Sequence, residues 1–138
     1  MKKQKILNFF NFNSKCKTDL QKCALSVLKS EKIHSCNINF ILISDAEIKK
    51  LNRKYRKTNR ITDVISFLID PKTFTGDIYI ARERSKKQAE TYNHIWLMEL
   101  AYLTIHGVLH LCGYSDYAPK NKKIMFKKQD EIFKCIFY

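Results

Sequence analysis

The chain has 138 residues, enough for one domain, spanning 1–138, whose core needs no disulfide bonds. Its 45% hydrophobic content excludes an intrinsically disordered protein. Lys and Arg number 26 against 13 Asp and Glu, a formal net charge of +13, so a polyanion such as RNA is a natural partner. Codon bias toward lysine is the alternative explanation, so the charge permits nucleic-acid binding without requiring it.

Short hydrophobic runs rich in isoleucine and phenylalanine predict four β-strands in the first 81 residues. The strands are expected at residues 6–12, 37–43, 63–69 and 76–81. Pro71 ends the third strand in this interpretation, and Gly76 is expected in the turn before the fourth.

Two helices are predicted between these strands. Thr18 is expected to cap the first, which runs to about Lys29 with its apolar residues on one stripe. Ser44 and Glu47 form an S-x-x-E capping box, which predicts that the second helix begins there and runs toward Arg53.

The second half of the chain is predicted to be helical. A polar helix is expected at 81–92, a long apolar one at 95–113, and a closing helix at 119–137 that begins with a proline. A helix that is apolar on most faces belongs in the middle of a domain. Strands first and helices mostly afterwards predict an α+β fold, with a small mixed four-stranded sheet packed against about five helices.

Cysteine usage and the absence of a long apolar stretch predict a cytoplasmic protein without membrane contact. Five cysteines form no C-x-x-C pair, which is typical of thiols kept reduced. The first residues resemble a signal peptide only briefly, because Asn8, Asn11 and Asn13 interrupt the apolar run. No stretch approaches the roughly 20 apolar residues of a membrane helix.

The stretch "HGVLHLCGYSD" predicts a metal site on the central helix. His106 and His110 are four residues apart, so both imidazoles lie on one helical face. Gly113 is suited to end the helix, and the reversed chain then returns Asp116 toward the same point. Two histidines and one carboxylate, with a position left for water, are typical of catalytic zinc.

This stretch has alternative interpretations. Histidines four apart on an apolar helix are often hydrogen-bonded core residues, and the helix-ending glycine and third ligand favour the metal site. Cys112 is expected to point to the opposite side of the helix and to lie in the core. Helical zinc proteases carry a glutamate general base where Gly107 stands, which counts against peptide hydrolysis.

With these residues in place, the chain resembles the YbeY family of metal-dependent endoribonucleases that mature ribosomal RNA. The family signature H-G-x-L-H-L-x-G-Y-D-H is matched by His106, Gly107, Leu109, His110, Leu111, Gly113 and Tyr114. Two earlier stretches, "LNRKYRKTNRITDVISF" and "GDIYIA", also resemble family motifs in the same order. The resemblance implies a zincin-like fold and one Zn²⁺ per chain.

The chain departs from the signature at its end. Without gaps, Ser115 stands where the family has aspartate, and Asp116 stands where it has the third histidine. A carboxylate oxygen can ligate zinc, so the metal site is expected to survive the exchange. A gapped alternative, ranked lower, offers Tyr117 as the ligand.

The resemblance implies cleavage of single-stranded RNA, including maturation of the 16S rRNA 3′ end and ribosome quality control, with the small ribosomal subunit and its associated proteins as partners. Arg56 matches the family's motif arginine and is the candidate catalytic cation, because its planar group suits two phosphate oxygens. Lys54, Lys57 and Arg60 flank it and are expected to bind the RNA backbone. An ordinary exposed arginine is the alternative for Arg56.

Two acidic residues are candidates for orienting the metal ligands. Glu99 lies two helical turns before His106, and Asp63 stands at the start of a strand. A plain helical glutamate and a structural strand-end aspartate are the alternatives. Two competing functions also stay open, a ribosome-associated RNA-binding factor with a mainly structural metal and, less favoured, a metalloprotease.

Overall fold

The computed structural model describes residues 3–55 and 62–138. These residues form four strands and five helices, so the α+β prediction is confirmed. In chain order the elements are β1 (Lys5–Phe10), α1 (Ser14–Ser30), β2 (Cys36–Ile43), α2 (Asp45–Tyr55), β3 (Val64–Asp70), β4 (Thr75–Ala81), α3 (Arg82–Thr91), α4 (Trp96–Leu111) and α5 (Pro119–Phe137). None of the helices in this part of the chain is long and apolar enough to cross a membrane.

The four strands form one mixed sheet in the order β1-β2-β4-β3. Strand β2 pairs in parallel with β1 and with β4, whereas β3 runs antiparallel to β4 at the edge. The parallel connections pass through helices, as parallel pairing requires, and the β3–β4 hairpin closes through the short turn at 71–74. The predicted mixed sheet is therefore confirmed.

Local chemistry explains where the first two helices begin. Helix α1 starts at Ser14 rather than after Thr18, because the Asn13 side chain accepts a hydrogen bond from the Cys16 amide at 2.9 Å. The expected cap at Thr18 was wrong. The capping box of α2 is confirmed, since the Ser44 hydroxyl accepts from the Glu47 amide at 3.1 Å and Glu47 accepts from the Ser44 amide at 3.3 Å.

Gly76 lies inside β4, where it pairs with Leu68, and not in the turn as expected. Its role is close approach, because a Cβ at this position would lie 2.8 Å from the carbonyl oxygen of Phe67. The glycine at this position is therefore explained by close packing inside the strand and not by a turn.

Helix α4 is the centre of the molecule. It contacts α1, α3 and α5 as well as strands β3 and β4, and ten of its residues are buried. Leu100, Ile105 and Leu109 are among its largest buried side chains, and they pack with those of α1 and the sheet into the main core. The prediction of a central apolar helix is confirmed.

Helix α4 approaches the sheet closely at Gly107. A Cβ on Gly107 would lie 2.8 Å from Cγ2 of Ile78 and 3.2 Å from the Ser66 hydroxyl oxygen. That hydroxyl donates a hydrogen bond to the Gly107 carbonyl at 2.9 Å. The helix therefore sits directly on β3 and β4, and the packing leaves no room for the glutamate that helical zinc proteases carry at this position.

We predict that Gly107→Ala lowers the free energy of unfolding by about 1–3 kcal/mol, because the added methyl overpacks the contact with Ile78. The loss is expected although alanine favours helix by about 1 kcal/mol relative to glycine. Urea denaturation of a double-mutant cycle with Ile78→Ala measures the effect. The Gly107→Ala cost should shrink in the Ile78→Ala background, and an equal cost in both backgrounds would contradict the packing argument.

Candidate metal centre

The nitrogens and oxygen predicted to bind a metal converge on one point. Nε2 of His106 and Nε2 of His110 lie 3.0 Å apart. One carboxylate oxygen of Asp116, Oδ2, lies 3.5 Å from the first nitrogen and 3.7 Å from the second. All three residues thus contribute one donor atom each to a single cluster.

The helix end explains how Asp116 reaches the histidines. Gly113 has φ of 102°, a conformation that glycine adopts without strain. Its amide donates to the His110 carbonyl at 3.0 Å, and the Tyr114 amide donates to the Leu109 carbonyl at 3.1 Å. These bonds terminate α4 and turn the chain back, so Asp116 lies over the face that carries both imidazoles.

The hydrogen bonds behind the imidazoles fix their protonation. Nδ1 of His106 lies 3.0 Å from Oε1 of Gln129, whose amide nitrogen donates to the Tyr102 carbonyl at 3.1 Å. Nδ1 of His110 lies 3.0 Å from the Tyr114 carbonyl. Both partners only accept, so both Nδ1 atoms must carry the proton. In the neutral form of each ring, Nε2 is then the unprotonated nitrogen, and it faces the other ring.

This arrangement fits a cation. With both rings neutral, two nitrogen lone pairs and a carboxylate oxygen face one another, which is unfavourable unless a proton or a metal ion lies between them. Ligand atoms at 2.0–2.2 Å from one tetrahedral zinc ion lie about 3.3 Å apart, close to the three separations described above. Two imidazoles and a carboxylate are also a common donor set for catalytic zinc.

Burial favours the neutral form of His106. Burial lowers the pKa of His106, although the bond to Gln129 opposes the shift. A lowered pKa favours the neutral imidazole, the form that binds metal. Both histidines are partly buried and Asp116 is exposed, so the donor cluster has one protected side and one accessible side.

The accessible side opens into a cavity of about 1020 Å³. Residues from β3, α3, α4 and α5 line it beside the three donors. Phe126 of α5 is one wall, with its ring centroid 5.9 Å from that of His106. The donors therefore lie on the wall of a space large enough for a substrate.

The two predicted orienting acids line this cavity but have other partners. Oε1 of Glu99 lies within hydrogen-bond distance of Nε2 of His94, at 3.3 Å. Burial raises the pKa of the Glu99 carboxyl. Asp63 forms an ion pair with Arg84. The hydrogen bonds to the two candidate ligand histidines come from Gln129 and from the Tyr114 carbonyl, and an orienting role for Glu99 or Asp63 stays a prediction.

Sequence reasoning missed Gln129. It is fully buried in α5, on the stripe that also contains Met125 and Ile132, and is flanked in sequence by charged residues, two lysines before it and Asp130 and Glu131 after it. A glutamine on the apolar stripe of a helix was the available signal, since a buried amide requires hydrogen-bond partners. Its partner could not be named, because His106 lies 23 positions earlier on another helix.

Only one of the four cationic candidates lies in the described part of the chain. Arg56, Lys57 and Arg60 lie outside the described residues. Lys54 is exposed near the end of α2, with its ammonium 5.2 Å from the ring centroid of Tyr55. Its role in RNA binding stays a prediction.

The remaining predictions concern side chains near the donors. Tyr117, the ligand of the gapped alternative, is 97% exposed, whereas Asp116 joins the donor cluster. Cys112 packs against the main core as expected.

Fold and site together define a class: an α+β protein whose central helix supplies two histidines, and the turn after it a carboxylate, to one candidate metal site. The family model described as Endoribonuclease YbeY matches residues 3–136 of the chain. The chain therefore belongs to the Endoribonuclease YbeY family, as its motifs indicated.

Individual relatives agree with this assignment. Endoribonuclease YbeY of Endomicrobium trichonymphae is 58% identical over 137 residues, covering 99% of this chain and 97% of the relative. Endoribonuclease YbeY of Lysinibacillus sphaericus is 41% identical over 108 residues, with 69% of each chain covered. The solution structure of TM1509 from Thermotoga maritima superposes with a TM-score of 0.69 at 31% identity, covering 96% of this chain and 89% of that one.

We predict that Gln129→Leu weakens metal binding about 10- to 100-fold, because His106 loses the acceptor that holds its Nδ1 proton. Competition with a chromophoric chelator measures the affinity. Met125→Leu is the matched control, since Met125 is buried on the same stripe of α5 and should leave the affinity unchanged. Unaltered affinity in Gln129→Leu would contradict the orienting role.

Proposed function

We propose that the chain is a zinc-dependent endoribonuclease that cleaves single-stranded RNA during ribosomal RNA maturation. Its membership of a family described as Endoribonuclease YbeY supports the reaction class. The observation that carries the proposal is the convergence of His106, His110 and Asp116 on one point beside an open cavity.

The openness of the site favours catalysis over a structural metal. Structural zinc sites are closed by four protein ligands, whereas catalytic sites keep one position for water or substrate. The described residues supply three donors, and the cavity lies on their free side. This supports an enzyme rather than an RNA-binding factor with a structural ion.

Each residue of the site has a definable task in phosphodiester cleavage. A bound zinc ion would polarise a phosphoryl oxygen and offset the negative charge of the transition state. His106, His110 and Asp116 would hold it, and Gln129 would keep His106 in the binding tautomer. We assign Arg56 the task of binding a second phosphate oxygen, because the reaction increases charge on more than one oxygen.

The packing at Gly107 argues against the metalloprotease alternative. The zinc proteases use a helical glutamate at that position as general base. A side chain there would collide with Ile78. An RNA substrate can supply its own nucleophile through the 2′-hydroxyl, so the lack of such a glutamate is compatible with RNA cleavage.

The charge of the chain supports RNA as the substrate class. Because the chain has a net charge of +13, it attracts phosphates without regard to the RNA sequence. We propose that Lys54, Lys57 and Arg60 contribute to backbone binding, that the substrate is the 3′ region of 16S rRNA in the small subunit, and that the protein acts in the cytoplasm and in ribosome quality control.

We predict that His110→Ala lowers RNA cleavage at least about hundredfold, since losing a ligand exceeds the effect of losing an orienting partner. The protein is first stripped of metal with a chelator and then reloaded with zinc. Gel analysis of a labelled single-stranded RNA measures the cleavage rate. His34→Ala is the matched control, because His34 is exposed and outside the cavity lining. Equal cleavage by wild type and His110→Ala would refute the metal mechanism.

Asp116 allows a test of the third ligand. We predict that Asp116→His keeps zinc binding, because imidazole is an equivalent donor, and that Asp116→Asn weakens it at least about tenfold through loss of the anionic ligand. Isothermal titration of the metal-free proteins measures both. Tyr117→Phe should match wild type, and a loss of affinity in that variant would favour the gapped alternative.

A further inference from the structure

The cavity extends well beyond the metal donors along one face of α4. Glu99, Tyr102, His106 and His110 all line it and recur at helical spacing on that face. The eleven residue steps from Glu99 to His110 rise about 16 Å along the helix axis. The cavity therefore has room for parts of the substrate next to the bond held at the metal.

The charge inside this cavity is opposite to that of the whole chain. Among the described residues that line it, Asp63, Glu99, Asp116 and Asp130 are acidic, whereas Lys134 is basic. Carboxylates repel phosphate groups but accept hydrogen bonds from N–H donors. The interior is thus suited to the bases of an RNA strand, with the phosphates left to the metal and the basic exterior.

Glu99 is the most unusual of these acids. It is the one Asp, Glu, Lys or Arg residue in the sequence of α4, and it is only 3% exposed. Burying a carboxylate is costly unless it is paired. One oxygen lies 3.3 Å from Nε2 of His94, and no other described residue makes a hydrogen bond to the side chain. One carboxylate oxygen therefore stays available on the cavity wall.

An aromatic ring lies beside His94, the hydrogen-bond partner of this carboxylate. Tyr92 is 68% exposed, lines the cavity, and has its ring centroid 6.1 Å from that of His94. Single-stranded RNA is commonly bound by stacking of its bases on tyrosine and histidine rings, with hydrogen bonds to the base edges. Tyr92 and Glu99, which both neighbour His94 on the cavity lining, offer a stacking ring and a hydrogen-bond acceptor for such binding.

We propose that Tyr92, His94 and Glu99 form a base-binding subsite that prefers bases with an exocyclic amino group. The proposal rests on the proposed function, and it names the part of the RNA that the cavity takes. The base stacks on Tyr92, and its amino group donates to Glu99.

The chemistry separates cytosine from uracil. Cytosine presents an N4 amino group, which a glutamate accepts from. Uracil presents a carbonyl oxygen at the same position, and two acceptors repel each other. These two bases have the same size and similar stacking, so a difference between them isolates the carboxylate.

The test measures binding of fluorescein-labelled rC6 and rU6 to protein kept in chelator, so that neither RNA is cleaved. The wild-type protein should bind rC6 about five- to tenfold more tightly than rU6. Glu99→Gln should bring that ratio close to one, because an amide can both donate and accept. Glu90→Gln is the matched control on an exposed glutamate and should keep the wild-type ratio.

Tyr92→Ala provides a second variant that is safe for folding, because the ring is exposed. It should weaken both RNAs at least about fivefold through lost stacking. Equal wild-type affinities for rC6 and rU6, an unchanged ratio in a folded Glu99→Gln protein, or unchanged affinity in Tyr92→Ala would each overturn the subsite. If Glu99→Gln does not fold, the wild-type ratio and Tyr92→Ala decide.

The result of this binding measurement does not depend on whether the protein cleaves RNA. A cytosine preference without RNA cleavage after zinc is returned would count against the proposed function and leave the subsite standing. Cleavage without any base preference would do the opposite.

Discussion

Helix α4 approaches the sheet so closely at Gly107 that a single added carbon would collide with Ile78. The hydrogen bond from Ser66 to the Gly107 carbonyl holds this contact from the strand side. Because His106 adjoins this contact and His110 lies one turn beyond it, the close approach fixes both imidazoles relative to the sheet. It also leaves no room at this position for the glutamate that acts as general base in helical zinc proteases.

The metal site adds a second constraint, which acts on protons rather than on volume. Gln129 and the Tyr114 carbonyl accept from the two Nδ1 atoms, so both Nε2 lone pairs point inward. Without a cation these lone pairs and the Asp116 carboxylate would oppose one another. In the proposed zinc-bound state the ion would satisfy this electrostatic demand, and its binding would be coupled to the packing of α5 on α4.

Charge is distributed in two layers. The surface carries most of the lysines and accounts for the attraction to a polyanion, whereas most of the Asp, Glu, Lys and Arg residues that line the cavity in the described part of the chain are carboxylates. For the proposed RNA substrate, such a division would separate the two halves of a nucleotide, because phosphates favour the metal and the exterior and amino-bearing bases favour the interior. The position of Glu99 on an otherwise apolar helix belongs to this arrangement.

The sequence by itself determined whatever depends on neighbours along the chain. The spacing of His106 and His110 and the helix-ending Gly113 could be predicted because helix geometry is local, and the family motifs added the reaction class. Only the tertiary structure decided that Gln129 orients His106, that Glu99 pairs with His94, and that Gly107 and Gly76 serve close packing. Those contacts depend on which faces of separate elements meet, and spacing along one element does not contain that information.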